Sequence, residues 1–145
     1  MKKSINENVI PKKIHYCWFG GNPLSELVKK CIDSWKKYCP DYEIIEWNET
    51  NFDVAITNYS KQAYDAKKWA FVSDVARTYI LKEHGGIYLD TDMELCHEPK
   101  DIFENGECVL GFDSKYLLSA GVMASVPQHK IFIDLWDIYQ KIKRL

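Results

Sequence analysis

The sequence predicts an α/β domain, and three observations carry that expectation: a strand, helix, strand opening, a long helical pattern stopped by Gly85-Gly86, and an apolar strand directly after those glycines that ends at Asp90-Thr91-Asp92. Strands alternating with helices favour a sheet containing parallel strands, because a parallel pair needs a crossover. Ligands of such sheets gather at the carboxyl ends of the strands. The two aspartates leave the last of these strands together, so their surroundings decide what the chain does.

The elements follow in order. Lys13-Ile14-His15-Tyr16-Cys17-Trp18 reads as a first strand, halted by the turn residues Gly20-Gly21-Asn22-Pro23. A helix is expected next, with Pro23 in its first turn, Pro40 closing it, and Leu24, Leu27, Val28, Cys31, Ile32 and Trp35 on one face. Tyr42 to Trp47 reads as a second strand. Lys61 to His84 is helical again, with Trp69, Val72, Ser73, Ala76, Tyr79 and Ile80 as its core stripe. After the aspartate strand and a loop at Glu98-Pro99-Lys100, Cys108 to Phe112 and Gly121 to Ala124 read as short strands. Lys130 to Leu145 reads as an amphipathic helix carrying Phe132, Leu135, Trp136 and Tyr139.

Composition bounds the function classes. The 145 residues suit a single domain, and 46% hydrophobic content is that of an ordinary soluble protein. Nineteen basic against 21 acidic residues leave a net charge of −2, too balanced to predict binding to nucleic acid or an anionic membrane. The start of the chain lacks an apolar signal core and no run is long enough to span a bilayer, so a cytoplasmic location is expected, with membrane contact limited to peripheral association. Five cysteines, an odd number without a C-x-x-C pair, predict reduced thiols and exclude a thiolate zinc site.

Asp90 and Asp92, alternating on one strand, are expected to point the same way with Cα atoms about 7 Å apart. That arrangement suits a hard divalent cation, which takes a few carboxylate oxygens and leaves its other positions to water or substrate phosphates. Ala70, Asp74, Arg77 and Leu81 form a row beside the helix core stripe, and the turn at Gly85-Gly86 could bring that row to the aspartates. The bland readings stay open: a solvated strand end for the aspartates, a surface ion pair for Asp74 and Arg77, and rim or core aromatics for Trp18 and Trp47. His15 is expected to be a satisfied structural histidine and His84 a helix-end residue that suits the dipole. His97 and His129 receive no role.

Taken together, Ile10-Pro11-Lys12-Lys13-Ile14-His15-Tyr16-Cys17-Trp18-Phe19-Gly20-Gly21, Ser34-Trp35, Pro40-Asp41-Tyr42-Glu43-Ile44, Trp47-Asn48-Glu49, Ser73-Asp74-Val75-Ala76-Arg77 and Gly85 to Asp92 closely resemble the family 32 glycosyltransferases. Bacterial capsular-polysaccharide transferases and fungal mannosyltransferases belong to that family, and the glucosyltransferase domains of large clostridial toxins look like distant relatives. The resemblance implies a GT-A type fold, a Rossmann-like mixed sheet flanked by helices, with a nucleotide-diphosphate sugar across the strand ends. It implies that Trp18 packs by the nucleotide, that Asp74 and Arg77 hold the donor sugar, and that Asp90 contacts the ribose and sugar. Asp92 would bind Mn²⁺ or Mg²⁺. A UDP-hexose or GDP-mannose donor, a glycan acceptor, retention of anomeric configuration and a role in surface polysaccharide synthesis are implied with them.

Two departures accompany the resemblance. Many members carry asparagine near Ala120, and they run on past Leu145 through a segment with His and Trp that completes the metal and diphosphate site. The expectation is therefore a C-terminally truncated transferase domain, with a non-catalytic donor-binding module or inactive fragment as the alternative. A phosphatase of the D-x-D type, with Asp90 as nucleophile, would place Thr or Val where Glu94 stands and its strand early in the chain.

Overall fold

The computed structural model describes residues 9–99, 103, 106–112 and 118–145. In chain order its elements are β1 (Lys13–Cys17), α1 (Glu26–Tyr38), β2 (Glu43–Trp47), α2 (Asn58–Asp65), α3 (Trp69–His84), β3 (Gly86–Leu89), β4 (Cys108–Phe112), β5 (Leu118–Ser125) and α4 (Lys130–Lys141). The strands form one mixed sheet in the order β2-β1-β3-β5-β4. β2, β1 and β3 run parallel, with Lys13 opposite Glu43 and Ile14 opposite Ile87. The remaining pairs are antiparallel, β3 with β5 and β5 with β4. The sheet is thus parallel where the opening suggested and antiparallel beyond it.

Strand alternation gives the sheet two apolar faces. Ile14, Tyr16, Ile87 and Leu89 point to one, where Val28, Cys31, Ile32 and Trp35 of α1 cover them. Cys17, Tyr88 and Met123 point to the other, under Val72, Ala76 and Ile80 of α3 and Phe132 of α4. α1 starts later than its apolar spacing suggested, because the Ser25 hydroxyl accepts the Val28 N–H at 3.2 Å and caps the helix there. Leu27, placed on the core stripe by spacing, is instead 63% exposed. α4 stops at Lys141, short of the expected Leu145, where Ile142 turns to extended backbone. His129, which had no role, caps α4 by accepting the Ile131 N–H.

The expected helix from Lys61 to His84 is two helices. α2 opens on a Thr57–Ser60 capping box, ends at Asp65, and the chain turns through Lys67 at φ 58 before α3 begins. α3 then runs to Gly85 (φ 65), and Gly86 (φ 108) turns the chain directly into β3. A Cβ on Gly86 would stand 2.9 Å from the Lys13 carbonyl oxygen and 3.0 Å from His15 Nε2, so glycine is needed for both its backbone angle and its lack of bulk. This tight turn aligns α3 with the strand that carries the aspartates. The amino-terminal half of α3 consequently faces the carboxyl ends of β1 and β3.

Candidate functional site

β1 lies between β2 and β3, so the chain leaves it toward one side and later returns on the other, and ligands of open α/β sheets bind at such a point. A cleft of about 390 Å³ opens there, lined by Trp18, Phe19 and Asn22 after β1, Trp69, Ala70, Ser73 and Arg77 of α3, and Tyr88, Asp90, Thr91 and Asp92 around the end of β3. Four of the five predicted site residues therefore share one cavity: Trp18, Arg77, Asp90 and Asp92. The fifth, Asp74, stands behind Arg77 and is bound to it.

Arg77 is the centre of this arrangement. Its guanidinium is almost buried, yet Nη2 meets Asp74 Oδ1 at 2.9 Å, Nη1 lies 3.8 Å from Asp90 Oδ1, and Nε donates to the Ser73 carbonyl at 3.2 Å. The Tyr88 ring lies beneath it at 5.0 Å. Burial alone would discharge the group; Tyr88, Asp90 and Asp74 more than offset that, and Arg77 stays a cation. Burial pushes the Asp74 carboxyl up, opposed by Arg77 and reinforced by Asp90. One fixed cation thus serves two carboxylates on different elements, which identifies the pair as more than a helix-surface ion pair.

The aspartate motif sits on a turn, not on the strand itself. β3 stops at Leu89, the Asp90 N–H donates to the Gly121 carbonyl at 2.8 Å, and the Asp90 carbonyl accepts the Met93 N–H at 3.0 Å. The strand alternation expected of Asp90 and Asp92 does not extend through this turn. Asp90 is half-buried toward Arg77, whereas Asp92 is exposed at the cleft. Two residues of α1 hold the turn from below: the Trp35 indole N–H donates to the Met93 carbonyl at 2.7 Å, and the Ser34 hydroxyl accepts the Leu95 N–H at 2.9 Å. Trp35 is fully buried, so the motif rests on a rigid post.

Asp92 offers hard carboxylate oxygens in an open position, the donor chemistry that Mg²⁺ or Mn²⁺ shares with substrate phosphates. Among the described residues no group of three or more His, Cys, Asp or Glu side chains forms a complete cation cage. The residues present fit a cation held by one protein carboxylate and by its substrate. They do not fit a structural metal centre.

The loop after β1 is fixed by a carboxylate. Glu49 Oε2 accepts the Gly20 N–H at 2.5 Å and the Tyr64 hydroxyl at 3.0 Å. Burial raises the Glu49 carboxyl, but the bonds from Gly20, its own backbone and Tyr64 together hold it below the usual range. Gly20 (φ 101) lies against the Trp69 indole, where a Cβ would come within 2.8 Å of the ring. Trp18 donates its indole N–H to the Asn22 carbonyl at 2.7 Å. Two indoles, Trp18 and Trp69, therefore flank the mouth of the cleft.

Trp69 and Ser73 were assigned to the core stripe by spacing, and the structure puts both in the cleft wall. The break at Ala66 to Lys68 makes Trp69 the first residue of a new helix rather than the middle of an old one. His15 matches its expectation: it is fully buried, accepts the Trp47 indole N–H on Nδ1 at 3.0 Å and is 2.8 Å from the Gly85 carbonyl through Nε2. All five cysteines are free thiols, three of them buried. The side chain of Ala120 and the position of Lys100 lie outside the described residues.

Known proteins share parts of this sequence and its fold. The family described as glycosyltransferase sugar-binding region containing DXD motif matches residues 25–108. Inositol phosphoceramide mannosyltransferase 3 of Schizosaccharomyces pombe is 34% identical over 95 residues, 58% of this chain and 24% of that protein. Mannosyl phosphorylinositol ceramide synthase CSH1 of Saccharomyces cerevisiae is 33% identical over 138 residues, 88% of this chain and 34% of that protein. The chain thus spans about a quarter to a third of the length of these relatives. Among solved structures, PaToxG Glycosyltransferase superposes with a TM-score of 0.72 at 23% identity, over 88% of this chain and 58% of that one, a likeness of GT-A fold. With its DXD turn, its cleft and a match over more than half its length, the chain belongs to the glycosyltransferases with a DXD-containing sugar-binding region.

Proposed function

We propose that this chain binds a nucleotide-diphosphate hexose across the ends of β1 and β3 and transfers the hexose, with retention, to a glycan or other polyhydroxyl acceptor. The observation that carries the reading is the Asp74–Arg77–Asp90 network, a charged constellation held at the wall of a cleft that also contains Asp92 and two indoles. One relative named as a mannosyltransferase and one named as a mannosyl phosphorylinositol ceramide synthase support a mannose donor, and a UDP-hexose is the competing choice.

Each residue has a task in that reaction. Trp18 and Trp69 provide flat apolar walls for the nucleobase at the cleft mouth. Arg77 presents a planar fork to donor oxygens and cannot lose its charge, so it orients the donor and stabilises anionic oxygen. Asp90, half-buried beside Arg77, accepts from ribose or sugar hydroxyls. Asp74 keeps Arg77 in place and sets negative potential near the sugar carbon, which gains positive charge as its bond to phosphate breaks. Asp92 would hold Mn²⁺ or Mg²⁺; when bound, such an ion neutralises charge growing on the departing diphosphate.

Isothermal calorimetry of GDP-mannose and UDP-hexoses, with and without Mn²⁺, tests this, alongside assays of donor hydrolysis and transfer. The expected result is donor binding that strengthens with Mn²⁺ and loses that dependence in Asp92→Ala, while the fold stays as stable as the parent. Unchanged metal dependence in Asp92→Ala would remove Asp92 from the metal role. Donor binding without hydrolysis or transfer would make the chain a donor-binding module.

A further inference from the structure

Three aromatic rings from three helices meet beside Asp74, outside the apolar cluster that α3 buries on the sheet. Tyr59 of α2 stands 5.6 Å from Tyr139 of α4 and 6.4 Å from Phe71 of α3. Phe71 lies one turn before Asp74 on the same side of α3 and is 39% exposed, with the Lys68 ammonium 5.6 Å from its ring centre. Both tyrosines are half-buried. Burial raises each phenol, and the Asp74 carboxylate raises each further, so both hydroxyls stay protonated donors near that carboxylate. On its other side Asp74 holds Arg77, which lines the donor cleft.

From these positions we infer that Tyr59, Phe71 and Tyr139 form an acceptor subsite for a neutral pyranose ring, stacked on the aromatic faces with its hydroxyls toward Asp74. A pyranose has an apolar C–H face and a rim of hydroxyls. Aromatic rings meet the first, and a carboxylate with phenol donors and an ammonium meets the second. A core role would bury the three rings together with Val72, Ala76 and Ile80. Instead they line the outer margin of the helices, next to the carboxylate that belongs to the donor network. The acceptor role rests on the proposed transferase reaction; the sugar subsite itself does not.

Saturation-transfer NMR with methyl α-glucopyranoside, methyl α-mannopyranoside and methyl α-galactopyranoside tests the subsite without turnover. At least one glycoside is expected to give saturable transfer, and its affinity should fall about fivefold in Tyr59→Leu and in Phe71→Leu. Tyr139→Phe keeps the ring and removes one donor, so it guards against loss of fold and should weaken binding less than Tyr59→Leu. Thermal melting of each variant shows that it is folded. No saturable signal from the parent chain, or affinity unchanged in both Leu variants, overturns the subsite. Glycoside binding that these variants weaken, in a chain that calorimetry shows to bind no nucleotide sugar, overturns its acceptor role and the donor reading together. Donor binding without glycoside binding overturns the subsite alone.

Discussion

Two ionisable side chains at the boundary of α3 and the sheet treat charge in opposite ways, Arg77 in the middle of the helix and His15 of β1 beneath its carboxyl end. In the middle of α3, Arg77 is held as a cation by Asp74 and Asp90, under a cleft that reaches solvent. Beneath its carboxyl end, His15 of β1 packs below Gly85, and its two nitrogens are taken by the Trp47 indole N–H and the Gly85 carbonyl. An indole N–H only donates, so Nδ1 is the acceptor and Nε2 carries the proton, which leaves no place for a second one. Burial first, opposed by the Gly85 bond and reinforced by His84 and Lys13, lowers the His15 pKa to about 4. Charge is retained where it faces the cleft and expelled where the helix must seat on the sheet. Substitutions at the two places should therefore fail in different ways.

Arg77→Ala should show the largest effect. It leaves two half-exposed carboxylates without their cation, which places the cost between that of a surface pair and a buried one, about 1–3 kcal/mol. Transfer should fall by about 10² to 10³, the usual loss when a fixed electrostatic partner of the reacting charge is removed. Urea unfolding and initial-rate assays measure the two quantities. Arg77→Lys separates charge from shape, because an ammonium keeps the pairing but cannot make two parallel contacts, so most of the stability should return while transfer stays low. A stable, fully active Arg77→Ala would reduce the network to an ordinary ion pair.

Acid should expose the other end. His15 titrates near 6.5 when unfolded and at about 4 when folded. Between those values the unfolded chain binds the extra proton, so stability is fully present above pH 6.5, declines as pH falls toward 4, and then levels off for this group. The integrated loss is about 3 kcal/mol. In His15→Gln, which keeps a donor and an acceptor but cannot titrate, this share of the decline disappears. The stability gap between parent and variant should thus be widest at neutral pH and narrow at pH 4. A gap independent of pH would show that His15 is free to protonate in place.

How much of this contrast was legible in the sequence depended on range. Lys13 to Cys17 and Cys108 to Phe112 announce strands by local pattern, and Gly85-Gly86 marks the end of α3 because only glycine tolerates those angles beside Lys13 and His15. The break before Trp69 was hidden, since Lys67 adopts φ 58 without the glycine or asparagine that usually signals it. The apolar period ran straight through, which sent Trp69 and Ser73 to the core. Trp35 read correctly as buried, but its bond to the Met93 carbonyl joins residues 58 positions apart and leaves no local trace. The same holds for β5, whose antiparallel place between β3 and β4 is a matter of pairing rather than of its own sequence. The resemblance supplied the roles of Asp90 and Asp92; the turn that points one at Arg77 and the other at solvent came only from the fold.

Glu49→Gln should give the smallest effect and sharpen the contrast at its charged end. The substitution keeps the size of the side chain and leaves an oxygen for the Gly20 N–H and the Tyr64 hydroxyl, but that oxygen no longer carries charge. A charge-assisted bond exceeds a neutral one by about 1 kcal/mol, which sets the expected loss of stability at neutral pH. Because Glu49 titrates below its ordinary value when folded, its stabilising share is present above that ordinary value and is lost as pH falls through the folded one. Parent and variant should therefore converge in acid, as in the His15 experiment, but over a lower range. The loop that Glu49 holds carries Gly20 against Trp69 and leads on from Trp18, so loosening it should raise the donor KM severalfold while kcat changes less. An equal fall in kcat would instead place Glu49 among the groups that act on the breaking bond.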